Sequence, residues 1–247
     1  MTQIYLAVSG NRLVNQKTFD QWDWEAKPLN LLVSFLFLQA WGETWKPQRT
    51  ILDSGAFSAW TKGQVVDIDK LCEEAGSGKW DEAVALDVIG DGEKGLENAL
   101  YMKDKGLTVM PVFHYGEPWS ILQAYRDGFG RIGLSGGPAK GIPLDVHFAW
   151  LDQCFARLYP AKFHAFGATH RKILMRYPFY SADSSSWMVS VRFGRASLGD
   201  SGMKLPRKSE ANDEVFDLRF EVLKFLDFQE ELKDRWRKEF INVGLCT

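Results

Sequence analysis

Cysteine is scarce: three residues, Cys72, Cys154 and Cys246, stand far apart in 247. No C-x-x-C pair exists, which argues against a Cys-rich zinc site within the chain. An odd, sparse count suits a reducing compartment, where each thiol serves as a small buried hydrophobe. Histidine is equally thin, with four residues (His114, His147, His164, His170) and no H-x-H. The longest apolar run, "LNLLVSFLFLQAW" from Leu29, is too short for a membrane span. The opening "MTQIYLAVSGNR" has no basic segment and is not a signal peptide. These absences together point to a cytoplasmic protein with no membrane partner. "AVSGNRLV" lacks the Gly-rich phosphate loop that an open doubly wound sheet carries after its first strand, which leaves that fold as the runner-up. No internal repeat, linker or low-complexity stretch is present.

What is there is a series of short β-rich runs: "IYLAVSG", "LLVSF", "TILDSG", "AVALDV", "TVMPVFH", "RIGLSGG", "FHAFGAT" and "FYSADSS". Most are continuously apolar, as in parallel strands covered on both faces. Helical patterns fall between them at 17–25, 67–75, 94–105, 118–127, 144–158 and 169–176, and Pro143 and Pro160 bracket one of these. The stretch 212–240 places Val215, Leu218, Val222, Phe225, Leu232 and Trp236 at helical spacing, with Asn212 able to cap it. Eight strands alternating with helices predict a single (β/α)8 barrel over 1–247, with a loop at about 184–211 and a C-terminal helix at about 212–240.

The carboxyl ends of barrel strands carry function. Asp53, Asp87, His114, Ser135-Gly136-Gly137, Gly167 and Asp183 all fall at such ends. Each alone is an ordinary turn-former; three aspartates and a histidine on one rim suggest a site. A carboxylate that attacks a sugar carbon needs a second carboxyl group to manage the proton. A third can hold a nucleobase edge, and a glycine turn can offer a backbone N–H. Phe57, Phe166, Tyr115 and Trp187 supply aromatic faces nearby. The same Asp and His set reads alternatively as ligands of a metal-dependent barrel hydrolase. Charge is uneven: ten Lys/Arg against two acids between Arg157 and Lys208 leave that segment at +8 and the remainder at −10. That asymmetry suggests either a polyanionic partner or a solvated face.

"DSGAFSAW", "IGLSGG", "HAFGATH" and "YSADSSSW" together resemble the strand-end motifs of the tRNA-guanine transglycosylases, and their wording is most similar to the phage and bacterial DpdA-like branch that inserts 7-deazaguanines such as preQ0 into DNA. The resemblance covers about strand three to strand eight. It implies a base-exchange pentosyltransferase without the zinc subdomain and without cofactors. Its partners would be DNA, as a single strand or a flipped guanine, and a free 7-deazaguanine, with tRNA as the alternative nucleic acid. By this resemblance Asp183 is the nucleophile and Asp53 the general acid/base. Asp87 and His114 hold the base edge. Gly136, Gly137 and Gly167 give backbone contacts, and Phe57 and Phe166 sandwich the base. Arg171, Lys172, Arg192 and Arg195 would meet phosphates.

Overall fold

The computed structural model describes residues 2–8, 10–136, 141–167, 170–188 and 214–242. Nine parallel strands form one sheet: β1 (Gln3–Ala7), β2 (Asn30–Ser34), β3 (Arg49–Asp53), β4 (Glu82–Val84), β5 (Val109–Met110), β6 (Val112–His114), β7 (Ile132–Ser135), β8 (Phe163–Ala165) and β9 (Ser181–Ser184). They follow the order β5-β4-β3-β2-β1-β9-β8-β7-β6. The two ends of that order are halves of one strand. Pro111, which has no N–H to give to a ladder, separates β5 from β6. β4 pairs with the first half and β7 with the second. The sheet thus wraps into a (β/α)8 barrel, as the alternation of runs predicts.

Strand residues alternate between an inner and an outer layer, and both are apolar. Tyr5, Leu32, Ile51, Val84, Met110 and Val112 pack together inside the barrel. Ile4, Leu6, Leu31 and Val33 face outward into the helix layer. Burial on both faces is why these strands read as continuous hydrophobic runs. The inner layer has one tight fit. A Cβ on Gly133 would stand 2.2 Å from the Phe166 ring, so the aromatic side chain occupies the space that Gly133 leaves empty.

The helices are α1 (Arg12–Phe19), α2 (Ala56–Thr61), α3 (Ile68–Ala75), α4 (Gly92–Asp104), α5 (Trp119–Gly128), α6 (Leu144–Leu158), α7 (Arg171–Arg176) and α8 (Glu214–Asn242), with a 3₁₀ segment over Phe35–Ala40. Side chains of Asn11, Asp67 and Asp91 accept from first-turn N–H groups of α1, α3 and α4. α8 lies against β1, α1 and α7. Its Leu218, Val222, Phe225 and Leu232 are buried, Gln229 Oε1 accepts the Ile4 N–H at 2.7 Å, and Arg235 Nε donates to the Met175 carbonyl at 2.6 Å. Among the described residues, no helix is long and apolar enough to cross a membrane.

Two expectations shift. The first helix begins at Arg12 and ends at Phe19 rather than covering 17–25, because Asn11 caps it earlier. α2 and the 3₁₀ segment have no counterpart among the predicted helices; both are single short turns with too few residues to show a period. Most of the 184–211 loop lies outside the described residues.

Candidate active site

β3 ends at Asp53, paired in register with Ser34 of β2. The chain then turns sharply: Gly55, at φ +75°, starts α2, and a Cβ there would meet Leu36 at 2.8 Å. Only glycine satisfies both conditions. Asp53 Oδ2 accepts the Gly55 N–H at 3.1 Å. Burial, and then the nearby charges of Asp87 and Asp183, push the Asp53 carboxyl up to about 7. The Gly55 N–H and the Ser34 hydroxyl act weakly in the opposite sense. Ser34 Oγ is buried beside Asp53 at this end of the barrel.

Asp87 follows β4. Its Oδ2 lies 2.8 Å from His114 Nε2, and its Oδ1 accepts the Ser54 hydroxyl at 3.2 Å. His114 closes β6 and is itself held from behind, its backbone N–H donating to Glu117 Oε2 at 2.9 Å. Burial pushes the Glu117 carboxyl up, against the pull of the His114 N–H.

Asp183 belongs to β9 and is buried. Its Oδ1 accepts the Gly167 N–H at 2.9 Å and lies 3.3 Å from His164 Nε2. Gly167 sits at φ +61°, which lets the chain after β8 aim that N–H back at the carboxylate. Among the described residues no donor meets Oδ2. Both described contacts fall on the same oxygen of Asp183.

Beside this cluster, towards β4, β6 and β7, lies a cavity of about 550 Å³. Phe57, Trp60, Ile89, Tyr115, Pro118 and Ile142 make its walls, and His114, Glu117 and Ser135 supply polar groups. Gly136 lines it too. A Cβ there would stand 2.7 Å from Tyr115 Cβ, so the cavity wall depends on that glycine. Gly136→Ala is expected to displace Tyr115 and cost about 1–3 kcal/mol; urea denaturation measures this directly.

Asp53, Asp87, His114 and Asp183 thus come together at the carboxyl end of the barrel. Phe57 borders the cavity, but Phe166 does not: it lies over Gly133, with its ring 4.6 Å from that of His164. Trp187 is core, wholly buried against Phe19 and donating Nε1–H to the Ala7 carbonyl at 3.1 Å. Arg171 makes a two-point ion pair with Glu231 that ties α7 to α8, and Lys172 is exposed at the start of α7. Gly137, Arg192 and Arg195 lie outside the described residues.

Three described cations of the basic segment lie away from Asp183, and five others (Arg192, Arg195, Lys204, Arg207 and Lys208) lie outside the described residues. Arg157 ends α6, Lys162 precedes β8 and Arg176 ends α7, which puts all three at the opposite, amino end of the barrel. Arg176 pairs with Asp152 at 2.9 Å, and Arg157 and Lys162 stack over Trp119 and Tyr180. Summing charge along the chain ignores that a strand and its following helix run in opposite directions. Sequence reasoning also missed Ser34, Ser54, Glu117 and Trp60. Of these, Ser54 and Trp60 stood inside "DSGAFSAW", a motif that could have drawn notice to both.

No family model matches the chain, and no curated protein does. Solved structures do. The tryptophan synthase α2β2 complex from Pyrococcus furiosus matches at 12% identity and TM-score 0.56, over 92% of this chain and 98% of that one. A mutant tryptophan synthase alpha-subunit from the same organism matches at 13% and 0.54, over 92% and 97%. The YdjI aldolase from Escherichia coli matches at 11% and 0.51, over 94% and 90%. The likeness is one of fold: a (β/α)8 barrel.

None of these is a guanine transglycosylase, and that overturns the family resemblance drawn from the four motifs. With it fall the pentosyltransferase activity, the exchange of guanine for a 7-deazaguanine in DNA or tRNA, and the DpdA-like assignment. The physical reason is local. In "DSGAFSAW" the aspartate and serine cap their own turn, accepting from Gly55 and Ala56, and the glycine supplies a left-handed φ. Gly136 and Gly167 answer similar needs of close approach and positive φ. Any barrel with these strand-to-helix joints can arrive at the same letters. The metal-dependent hydrolase reading gains nothing either: among the described residues no three His, Cys, Asp or Glu are placed to hold an ion.

Proposed function

We propose that the chain is an enzyme that cleaves a bond in a small, planar-ringed substrate by moving protons between carboxyl groups at the barrel mouth. One observation carries this reading. Asp53, half-buried at the end of β3, stands beside Asp87 and Asp183, and desolvation together with their charges pushes its carboxyl up to about 7. A carboxylic acid protonated near neutrality is a general acid ready for use. Asp183, with Oδ1 held by Gly167 and Oδ2 unoccupied by any described donor, is the partner that takes a proton. In the step the C–C bond between the ring and a carbinol carbon breaks: Asp53 gives its proton to the departing ring carbon, and Asp183 takes the carbinol proton as that oxygen becomes a carbonyl. The proton count then balances without water. The named activities of the fold's neighbours, a synthase and an aldolase, support a catalytic use of this rim.

The cavity suggests the kind of substrate. Its volume suits a small molecule. Phe57, Trp60 and Tyr115 offer ring faces for stacking. No Lys or Arg stands among its described lining residues; Glu117 lines it, and Asp87 lies 2.8 Å from His114 on its wall. Such a mouth favours a neutral or cationic molecule over a phosphorylated one.

The test is a screen of ring-bearing hydroxy compounds by tryptophan fluorescence, followed by mass spectrometry of each hit after incubation in D₂O. The wild type should release a ring product carrying one solvent deuteron. Asp53→Asn and Asp183→Asn should bind the same hit and turn over at least about 100-fold more slowly. Undiminished turnover in both variants would remove the proposal.

A further inference from the structure

Behind Asp183 lies a buried line of polar groups that the proposed chemistry does not use. His164 and Ser181 are fully buried, on neighbouring strands β8 and β9. His164 Nε2 lies 3.3 Å from Asp183 Oδ1, and its Nδ1 lies 2.8 Å from Ser181 Oγ. Arg131 NH1 donates to Ser181 Oγ at 3.4 Å and lies 3.0 Å from Glu82 Oε2. The line runs along the barrel interior from the mouth towards the amino end.

Hydrogen-bonding capacity gives this line a direction. A guanidinium only donates, so Ser181 must accept from Arg131. The Ser181 hydroxyl then has its own proton free for His164 Nδ1. A ring that accepts at Nδ1 carries its proton on Nε2, and Nε2–H points at Asp183. Burial pushes the His164 ring below its usual range, more strongly than Asp183 pulls it up, so the ring is neutral and has one donor only. Successive donors aligned head to tail polarise one another, more so in a dry interior.

We infer that His164, Ser181 and Arg131 form a one-way chain of donors ending on Asp183 Oδ1, and that they are positioning residues which keep this carboxylate an acceptor. The inference rests on reading Asp183 as the working carboxylate. It explains why a histidine is fully buried under the site: with Nδ1 receiving from Ser181 the ring directs Nε2–H at the carboxylate, and the opposite tautomer would set a bare Nε2 lone pair against Asp183 Oδ1. Other groups bear on the same carboxylate. Asp53 on β3 and Asp87 after β4 stand near it at the mouth. Tyr5 on β1 meets the His164 ring edge-on at 6.1 Å, and Glu82 balances Arg131 at the far end.

The test needs no turnover, so it stands apart from the proposed reaction. Long-range ¹H–¹⁵N spectra of the wild type should show His164 as the Nε2–H tautomer, unchanged over about pH 5.5–8.5, a window in which an ordinary histidine titrates. In Ser181→Ala, with melting within a few degrees of wild type, the Nδ1 signal should move downfield as it loses its donor. The Asp183 carboxyl ¹³C signal should then titrate at higher pH than in the wild type. An Nδ1–H tautomer in the wild type, or a ring that becomes imidazolium in that window, would overturn the chain. An Asp183 titration unchanged in Ser181→Ala would overturn its role.

Discussion

Arg131→Met should lower stability by about 3–5 kcal/mol at pH 8, because it removes one partner of a largely buried ion pair and leaves the other charge uncompensated. Arg131 and Glu82 are only 13% and 11% exposed, with 3.0 Å between NH1 and Oε2. Burial already pushes the Glu82 carboxyl up, and the Arg131 charge is what pulls it back. Without the arginine, Glu82 holds its proton to still higher pH in the folded state than in the unfolded one. The unfolded chain then binds fewer protons in that interval, so stability falls as pH rises through it. The loss should therefore be small near pH 5 and full near pH 8. For a chain of this size it amounts to a melting temperature roughly 6–20 °C lower. Arg131→Met combined with Glu82→Met should recover most of the loss, since two apolar side chains leave no buried charge. Thermal denaturation of the three proteins at pH 5 and pH 8 measures all of this; a single variant as stable as wild type at pH 8 would mean that the pair is solvated after all.

Asp53→Asn should stabilise the protein above neutral pH. In the folded state Asp53 titrates at about 7, far above an ordinary aspartate. Between about pH 4 and pH 7 the folded protein holds a proton that the unfolded chain has released, so this residue makes stability decline as pH rises across that window. Asparagine keeps the shape and cannot ionise. The variant should match wild type near pH 4 and exceed it by about 2–4 kcal/mol at pH 8. In the proposed reaction the same change removes the general acid. Greater stability with lost activity is the pattern of a site whose charges are kept for function at the expense of the fold. Guanidinium unfolding across pH 4–8 would show the two curves diverging; parallel curves would place Asp53 in an ordinary solvated setting.

Much of the architecture was readable because barrel strands announce themselves. Runs such as "NLLVS" are buried along their whole length, and a long helix such as α6 buries Trp150, Leu151, Cys154, Phe155 and Leu158 at a 3.6 period. The break at Pro111 was not readable, since one residue divides what otherwise looks like a continuous strand. Positions of Asp53, Asp87, His114 and Asp183 were readable for a geometric reason: a residue ending a barrel strand has few directions in which to point. Their neighbours were not. Nothing in the letters says that Phe166 fills the space over Gly133, that Trp187 turns into the core, or that Arg176 ends up at the far end beside Asp152. Those depend on which way each side chain leaves its element. The motif resemblance failed for the converse reason. Turn chemistry is legible in a sequence, and it was mistaken for reaction chemistry because both use aspartate, serine and glycine.

The account depends on three carboxyl groups sharing one partly enclosed space closely enough to keep a proton on Asp53. A ¹³C titration of the aspartate carboxyl signals, with Asp53 assigned through Asp53→Asn, measures that directly. The Asp53 signal should move with a midpoint near pH 7, and the midpoint should fall when Asp183 is replaced by asparagine. A midpoint near 4, where free aspartates titrate, would show that the three side chains do not feel one another and that this rim holds no proton for catalysis.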